Sequence, residues 1–338
     1  MTGMFLPLLF IYVTIVSNTS YANGCIVPEQ VYAEASHYIL SNDYQNALNI
    51  LDRFMRDFPD EPAGPLLKAA ILQYRSTDYE DFSDQEIFFK LIDRTEYLAR
   101  KKLEMNGDDL WALYYLSASE NLKGVWIAAS GKFIRGIITC WSGVRGMANI
   151  VSMDSTFYDA YLVIGSFRFW RGMVVENVSM LPFVKTDVKS ALDKVEVAIS
   201  RGKLTGPLSY IVLFEILLEH DPFRAVELGE DMVKKYSDCR LFLWQLGEAY
   251  KKLGRFDEAV RVFTEIADSM ARDNLDDGSG ELRCWWKLAE LSKSVGKVEE
   301  CRYYCNKVIE LGERKSIYTK QYKRINKAIH MIEDIDHE

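Results

Sequence analysis

The stretch LFLWQLGEAYKKLGRFDEAVRVFTEI, from Leu241 to Ile266, decides the fold of this chain. Apolar residues recur at helical spacing in each half of it: Leu243, Leu246 and Tyr250 in the first half, and Ala259, Phe263 and Ile266 in the second. Gly254 lies between the two halves and suits a turn. Gly247 and Ala259 fall where two antiparallel helices would cross, and their small size permits a close approach of the backbones. The stretch therefore predicts a helical hairpin.

The hairpin pattern repeats along the chain at a fixed period. Ala191, Ala225 and Ala259 follow one another at intervals of 34 residues, and a period of this length is typical of stacked helical repeats. Insertions around 177–186 and 273–280 stretch the pattern. The final stretch, KSIYTKQYKRINKAIHMIEDIDHE, is amphipathic and predicts a capping helix, because the open end of a stack of repeats would expose apolar surface.

Composition limits the class of protein and of partner. The chain has 338 residues, of which 49% are hydrophobic, so it has enough apolar content to fold. Its formal net charge is -8. Proteins that bind nucleic acid carry a basic patch, so we expect no nucleic-acid partner.

The first 22 residues have the composition of an export signal. The run from Met4 to Val16 is apolar but shorter than the roughly 20 residues of a membrane-spanning helix. Ser20 and Ala22 supply small residues where a signal peptidase reads them, so we expect a signal peptide at 1–22 and export to the periplasm or cell envelope. A second possibility is membrane association through a lipidated Cys25, although the preceding residues fit a lipobox poorly.

Export would bring the six cysteines into a compartment where disulfides form. Cys301 and Cys305 share one face of a predicted helix, and Cys284 lies on the helix expected to pack antiparallel to it. A disulfide between Cys284 and Cys305 is therefore one hypothesis. The other is that these residues are buried thiols at packing positions, since cysteine is among the most buried residue types.

The stretch from Val125 to Met153 is the most apolar part of the chain after the signal. It is not a phosphate-binding loop, because Trp126 and Phe133 stand where GxxxxGK[ST] requires glycine and a hydroxyl residue. It is not a membrane span either, because three cations interrupt it, namely Lys132, Arg135 and Arg145.

The same stretch contains small residues at helical spacing. Gly136, Cys140 and Gly143 predict a helix with a close-packed face, buried against its neighbours. A groove for a ligand or a partner is the alternative. We expect the helix that precedes this stretch to end at Gly124.

No catalytic or metal-binding signature is present. The four histidines are scattered, and none forms a helical metal pair such as HExxH. The GxSxG and GxGxxG patterns do not occur. Acidic pairs lie at predicted helix starts or in links, where solvation or the helix dipole explains them. We therefore expect neither enzymatic activity nor a cofactor.

The repeats resemble the tetratricopeptide repeat family over most of the chain after residue 22, most closely at 28–59 and 206–309. More specifically, YDAYLVIGSFRFWRG at 158–172 and SALDKVEVAISRG at 190–202 are similar to a group of exported bacterial tetratricopeptide proteins. The resemblance implies an all-α fold, a right-handed superhelical solenoid of antiparallel helix pairs, and an envelope-located scaffold without catalytic residues.

The pattern divides the chain into five expected parts. These are a signal peptide at 1–22, helical hairpins at 23–123, atypical apolar helices with an insertion loop at 124–202, regular repeats at 203–312 and a capping helix at 313–338.

A solenoid offers a concave surface lined by the first helix of each pair. The residues expected on this surface are Phe169, Trp170, Tyr210, Phe214, Trp244, Glu248, Trp286 and Glu290. Exposed aromatic rings would bind a protein or peptide, whereas in a tight superhelix the same rings would be buried against one another. We favour a protein-interaction scaffold. The alternative is a small-molecule carrier, similar to tetratricopeptide partners of solute transporters, with an apolar ligand enclosed by 124–186.

Overall fold

A computed structural model of the chain describes residues 29–177, 187–202, 209–273 and 277–337. These residues form fifteen α-helices and, among themselves, no β-strand. The first nine helices are α1 (Glu29–Leu40), α2 (Tyr44–Asp57), α3 (Ala63–Asp78), α4 (Gln85–Met105), α5 (Leu110–Ala129), α6 (Phe133–Met153), α7 (Asp159–Asn177), α8 (Val188–Arg201) and α9 (Ser209–His220). The other six are α10 (Pro222–Lys235), α11 (Arg240–Lys252), α12 (Phe256–Ala271), α13 (Ser279–Ser294), α14 (Val298–Gly312) and α15 (Lys315–His337).

The helices belong to two compact units. Unit 1 runs to Thr77 and resumes from Phe82 to His220, and unit 2 consists of Asp78–Asp81 together with Asp221–Glu338. Within each unit, most helices that follow one another pack side by side, as in α5 with α6 and α13 with α14. The predicted all-α architecture of stacked helix pairs is confirmed.

Local sequence explains where several helices begin. An aspartate immediately before the helix accepts a hydrogen bond from a backbone amide of the first turn, which satisfies a donor that has no partner inside the helix. This arrangement is found at Asp43, Asp109, Asp187 and Asp221, which precede α2, α5, α8 and α10.

The hairpin at 241–266 is present as α11 and α12. Gly254 forms the turn with a φ of 71°, a left-handed conformation that glycine adopts without steric cost. A Cβ on Gly247 would lie 2.7 Å from the ring of Phe263, so only glycine fits there. Ala259 is fully buried. The small residue of α11 thus makes room for an aromatic ring of α12.

The stretch at 125–153 also forms a hairpin, but its first helix is longer than predicted. We expected that helix to end at Gly124, whereas α5 continues to Ala129. The reason is that Gly124 serves as a contact and not as a stop: a Cβ there would lie 2.6 Å from the backbone nitrogen of Cys140 and 2.7 Å from the carbonyl oxygen of Gly136. The predicted close-packed face of α6 is confirmed. No described helix is both long and apolar enough to cross a bilayer.

The predicted C-terminal helix is α15. Ile317, Ile325 and Ala328 are buried in an apolar cluster with α13 and α14. Ile329 points away from the cluster and is 37% exposed. The predicted capping helix therefore packs on α13 and α14 through Ile317, Ile325 and Ala328.

Candidate peptide-binding site

The predicted aromatic surface is not exposed. Five of its rings are buried, with exposed fractions of 1% to 6%: Phe169, Trp170, Phe214, Trp244 and Trp286. Tyr210, Glu248 and Glu290 are half-buried. The expectation of exposed aromatic anchors is wrong for the five buried rings, because they pack in the cores of their units. Trp286, for example, lies in the cluster between α13, α14 and α15. The alternative that we gave, burial of the rings, describes them.

The predicted disulfide is absent from the structure. Cys284 and Cys305 are both buried thiols. The face of α13 that packs on α14 carries Leu282 and Trp286, and Cys284 lies about 200° around the helix from each of them. Cys305 instead lies beside Cys301 on α14, and its burial, with the neighbouring Cys301, raises the pKa of the Cys305 thiol to about 12. The possible lipidation site, Cys25, lies outside the described residues.

A polar site that the sequence did not predict occupies unit 2. Its centre is Arg240, the first residue of α11, which is only 2% exposed. Arg240 Nε donates to Asp78 Oδ2 at 2.8 Å, and Arg240 Nη2 donates to Asp273 Oδ2 at 2.8 Å. Arg240 Nη2 also donates to the hydroxyl of Tyr79 at 3.1 Å. A buried arginine therefore binds two carboxylates and a phenol, which offsets the cost of removing its charge from water.

Trp244, one turn along α11, contributes to the same site. Its Nε1 donates to Asp78 Oδ1 at 3.1 Å, so both oxygens of that carboxylate accept hydrogen bonds. The guanidinium of Arg283, on α13, lies over the Trp244 ring with its carbon 3.9 Å from the centroid. This is a cation–π contact. Trp244 therefore has a polar role through its indole nitrogen as well as a packing role.

Glu80 is held by α15. Arg324 Nη2 donates to Glu80 Oε1 at 2.9 Å, and Arg324 Nη1 donates to Oε2, which also accepts from Gln321 Nε2 at 3.3 Å. This is a two-point contact between a guanidinium and a carboxylate. Burial alone would raise the pKa of the Glu80 carboxyl, but Arg283 and Arg324 outweigh it and lower the pKa to about 2. Glu80 is therefore a carboxylate at neutral pH.

An additional buried ion pair lies between α11 and α13. Lys287 Nζ is 2.9 Å from Glu248 Oε1, and the lysine side chain is 3% exposed. Burial lowers the pKa of the Lys287 ammonium group to about 8, although the carboxylate of Glu248 opposes the shift. Glu248, which we predicted at a partner-binding surface, is thus an internal ion-pair partner.

Five residues receive the segment at the end of α3, and we name them the acceptor surface for that reason, although their side chains are hydrogen-bond donors or cations. They are Arg240, Trp244, Arg283, Gln321 and Arg324. The acceptor surface holds the segment Asp78-Tyr79-Glu80-Asp81, with hydrogen bonds to the side chains of the first three residues. Glu80 has a φ of 54°, a left-handed conformation that costs about 1 kcal/mol or more for a residue with a side chain and persists where its surroundings stabilise it. The arrangement holds two carboxylates through guanidinium, indole and amide donors.

Two further features of the described residues bear on a metal site and on the carrier alternative. No group of three or more His, Cys, Asp or Glu residues could hold a metal ion in the part of the chain that the structure describes. A cleft of about 560 Å³ in unit 1 includes Asp108, Asp109, Asp154 and Asp159 in its lining, so it is not the apolar enclosure expected of a carrier. Asp109 caps α5 and Asp154 accepts from Thr156, which accounts for two of these acids.

The comparison with family models agrees with the repeat pattern in one part of unit 2. A tetratricopeptide repeat family model matches residues 245–277. No curated protein matches the chain. Among solved structures, the chain is similar to the C-terminal part of a TPR repeat-containing protein from Cytophaga hutchinsonii, with 13% identity, a TM-score of 0.41, and coverage of 85% of this chain and 97% of that one. It is also similar to yeast Tom70, with 14% identity, a TM-score of 0.40, and coverage of 89% of this chain and 68% of Tom70.

The family match includes most of α11 and all of α12, the two helices of the hairpin at 241–266. The match shows a tetratricopeptide repeat at residues 245–277 of this all-helical chain.

Proposed function

We propose that the chain is a protein-interaction scaffold whose unit 2 binds acidic segments of partner proteins at the acceptor surface. The observation that supports this most directly is the way unit 2 holds residues 78–81. Repeats of this family suggest a scaffold in general, and the geometry of the acceptor surface adds the chemistry of the segment that it fits.

The recognition is specific because the side chains of Asp78, Tyr79 and Glu80 each have their own hydrogen-bond partners in unit 2. The first carboxylate, Asp78, receives Arg240 and Trp244. The phenol, Tyr79, lies between Arg240 and Asp273. The second carboxylate, Glu80, receives Arg324 in a two-point contact. Guanidinium groups match carboxylates in geometry as well as charge, and lysine would not replace them equally. A partner segment therefore needs an aromatic residue with a hydroxyl group, one carboxylate residue before it and one carboxylate residue after it.

Residues 78–81 would compete with such a partner. A tethered segment has an effective concentration on the order of millimolar, without any loss of translational freedom on binding. A free peptide of the same sequence would therefore bind weakly to the native chain. A partner that makes further contacts elsewhere would displace the segment, so the internal segment sets a threshold for binding.

We propose further that the scaffold is exported and acts in the cell envelope. This rests on the apolar run and the small residues of 1–22, which lie outside the described residues. Lipidation at Cys25 would add a membrane anchor to the same location. Mass determination of the N-terminus after expression in a host with a secretion pathway tests both, since cleavage after Ala22 and acylation at Cys25 give different masses.

The binding proposal is tested with a dye-labelled peptide of residues 76–84, STDYEDFSD, added to the full chain. The variant Tyr79→Ala/Glu80→Ala weakens the internal competitor, so that the first carboxylate of the peptide can replace Asp78 on Arg240. We expect this variant to bind the peptide at least tenfold more tightly than the unsubstituted chain, as measured by fluorescence anisotropy. A peptide with Asn and Gln in place of Asp78 and Glu80 is the matched control and should not bind.

Two further variants make the result decisive. Adding Arg324→Ala to the weakened chain should abolish peptide binding, because it removes the contact to the second carboxylate. If the double variant fails to fold, as judged by its helical circular dichroism, Glu80→Gln alone replaces it. Equal binding of the acidic and the amide peptides would refute recognition of carboxylates.

A further inference from the structure

The helix α6 has a second apolar face that no part of the described chain covers. Its first face packs on α5 through Gly136, Cys140 and Gly143, as described above. On the opposite side, Ile134 and Ile138 are each 68% exposed, and Trp141 is 46% exposed. These three residues follow a spacing of four and three, so they form one continuous stripe along the helix.

The stripe is bordered by cations. Lys132 and Arg135 lie at the start of α6, and Arg145 follows Trp141 by one turn on the same side. All three side chains are exposed, and none has an ion-pair partner among the described residues. On α4, by contrast, the exposed Lys90 is paired with Glu86.

The absence of acids extends beyond the helix. Between Glu120 and Asp154 the sequence has no Asp or Glu and four cations, in a chain with 49 acidic residues and a net charge of -8. An anionic surface would repel most of this protein and attract this segment. The charge distribution therefore favours an anionic partner and favours contact through the segment that contains α6.

We propose that α6 docks on the surface of an anionic phospholipid bilayer, with Ile134, Ile138 and Trp141 at the level of the head groups. A helix that lies in the membrane interface has an apolar face with Trp, and Lys or Arg beside it. Trp is favoured at this depth because its ring is amphipathic. Cations near an anionic leaflet add attraction that falls off within a Debye length. The core of a protein interface is instead depleted of charged residues, and here Arg145 continues the line of the stripe.

The helix is held firmly enough to present this stripe. Its inner face contacts the α5 backbone through glycines, and the Trp141 ring lies 5.6 Å from the buried ring of Phe167 on α7. The stripe is therefore preformed. Docking would require no unfolding of the α5–α6 hairpin, and residues of the acceptor surface take no part in it.

The test is sedimentation of the full chain with vesicles of phosphatidylcholine alone or with about one third phosphatidylglycerol. We expect binding to the anionic vesicles, weakening as salt is raised, and at least tenfold weaker binding by Ile134→Ser/Ile138→Ser. The matched control is Ile87→Ser/Tyr97→Ser on α4, whose side chains are 50% and 66% exposed; it should bind as the unsubstituted chain does. Arg135→Glu/Arg145→Glu should lose the preference for anionic vesicles.

A second measurement reports on α6 alone, independently of the apolar residues at 1–22. An environment-sensitive dye on Ile138→Cys should shift to the blue when anionic vesicles are added, and the same dye on Tyr97→Cys should not. Equal sedimentation of the serine variant and the unsubstituted chain, with no shift at position 138, would overturn the proposal. Concentration-dependent dimerisation that the serine variant abolishes, without vesicle binding, would also overturn it and assign the stripe to a second copy of the chain.

Discussion

Arg240 and Asp78 are separated by 162 residues in the sequence, yet Arg240 Nε donates to Asp78 Oδ2 across 2.8 Å. Both side chains are almost fully buried, with 2% and 0% of the side chain exposed. Each charge is tolerated in the interior only because the other is beside it. Removing either member should therefore cost far more than the loss of a surface ion pair.

We expect Arg240→Ala to destabilise the protein by about 3–5 kcal/mol, because it leaves the carboxylates of Asp78 and Asp273 without their counter-charge. Denaturant unfolding followed by circular dichroism measures the loss. The control is Arg255→Ala, which breaks ion pairs to Glu230 and Glu258 at a side chain that is 40% exposed. It should cost about 1 kcal/mol or less. Equal effects of the two variants would contradict the interior role of Arg240.

Acid should selectively weaken the contact of Glu80 with Arg324. The pKa of Glu80 is lowered to about 2 in the folded chain from an ordinary value of 4.5, so its stabilising effect is complete above about pH 4.5 and is lost as the pH falls toward 2. Glu80→Gln should thus lower the melting temperature at pH 7 and make progressively less difference at pH 4 and pH 2.5. Glu86→Gln, at an exposed pair with Lys90, should change little throughout. A constant difference between Glu80→Gln and the unsubstituted chain at all pH values would be inconsistent with this titration.

The α5–α6 hairpin should not tolerate a larger residue at Gly143. A Cβ there would lie 2.8 Å from the backbone nitrogen of Asn121 and would meet the carbonyl oxygen of Ser117. Backbone atoms cannot turn aside as a flexible side chain can, so Gly143→Val should cost about 1–3 kcal/mol or more. Gly107→Ala is the control, because a Cβ there would lie 4.0 Å from the carbonyl oxygen of Leu103, and it should alter the unfolding midpoint little. A Gly143→Val chain with an unchanged midpoint would show that the two helices can separate without cost.

Trp286→Ala should behave as a core substitution. The side chain is 6% exposed and lies in the cluster formed with α13, α14 and α15, so its removal should cost about 3–5 kcal/mol. Glu290→Ala, one turn further along α13 at a half-buried position, should cost about 0.5 kcal/mol or less. If Trp286→Ala instead weakened partner binding and left the melting temperature unchanged, the prediction that Trp286 lies on an exposed binding surface would be supported and its core role contradicted.

The sequence predicted those parts of the fold that depend on neighbouring residues. Spacing alone located the α11–α12 hairpin, the small-residue face of α6 and the capping helix, because helical periodicity is a local property. Gly124 was misjudged, since a glycine that ends a helix and one that admits a neighbouring helix look the same in sequence. Trp244 was placed on a surface because it stands outside the repeat's packing positions, but Asp78 and Arg283 cover it.

The acceptor surface could not be found in this way. Residues 76–84 read as a polar link, and nothing in their spacing indicates that they contact helices more than 160 positions later. One signal was available: α11, α13 and α15 carry Arg240, Arg283 and Arg324, and buried positions rarely carry arginine without a partner. An arginine at a position expected to be packed therefore implies an acidic counterpart somewhere in the chain or in a partner.

The membership of residues 78–81 in unit 2 has a practical consequence for dividing this protein. A repeat stack can ordinarily be cut between helix pairs, because each repeat contacts only its neighbours. A polypeptide of residues 221–338 would keep the arginines of the acceptor surface and lose the carboxylates of Asp78 and Glu80. Arg240 would keep Asp273 as its one remaining carboxylate partner in this site, and Arg324 would lose Glu80, so the interior positive charge would be compensated only in part. Unit 2 is therefore a single structural unit that is formed by two separate stretches of sequence. A fragment that keeps this unit intact must also contain the four residues Asp-Tyr-Glu-Asp.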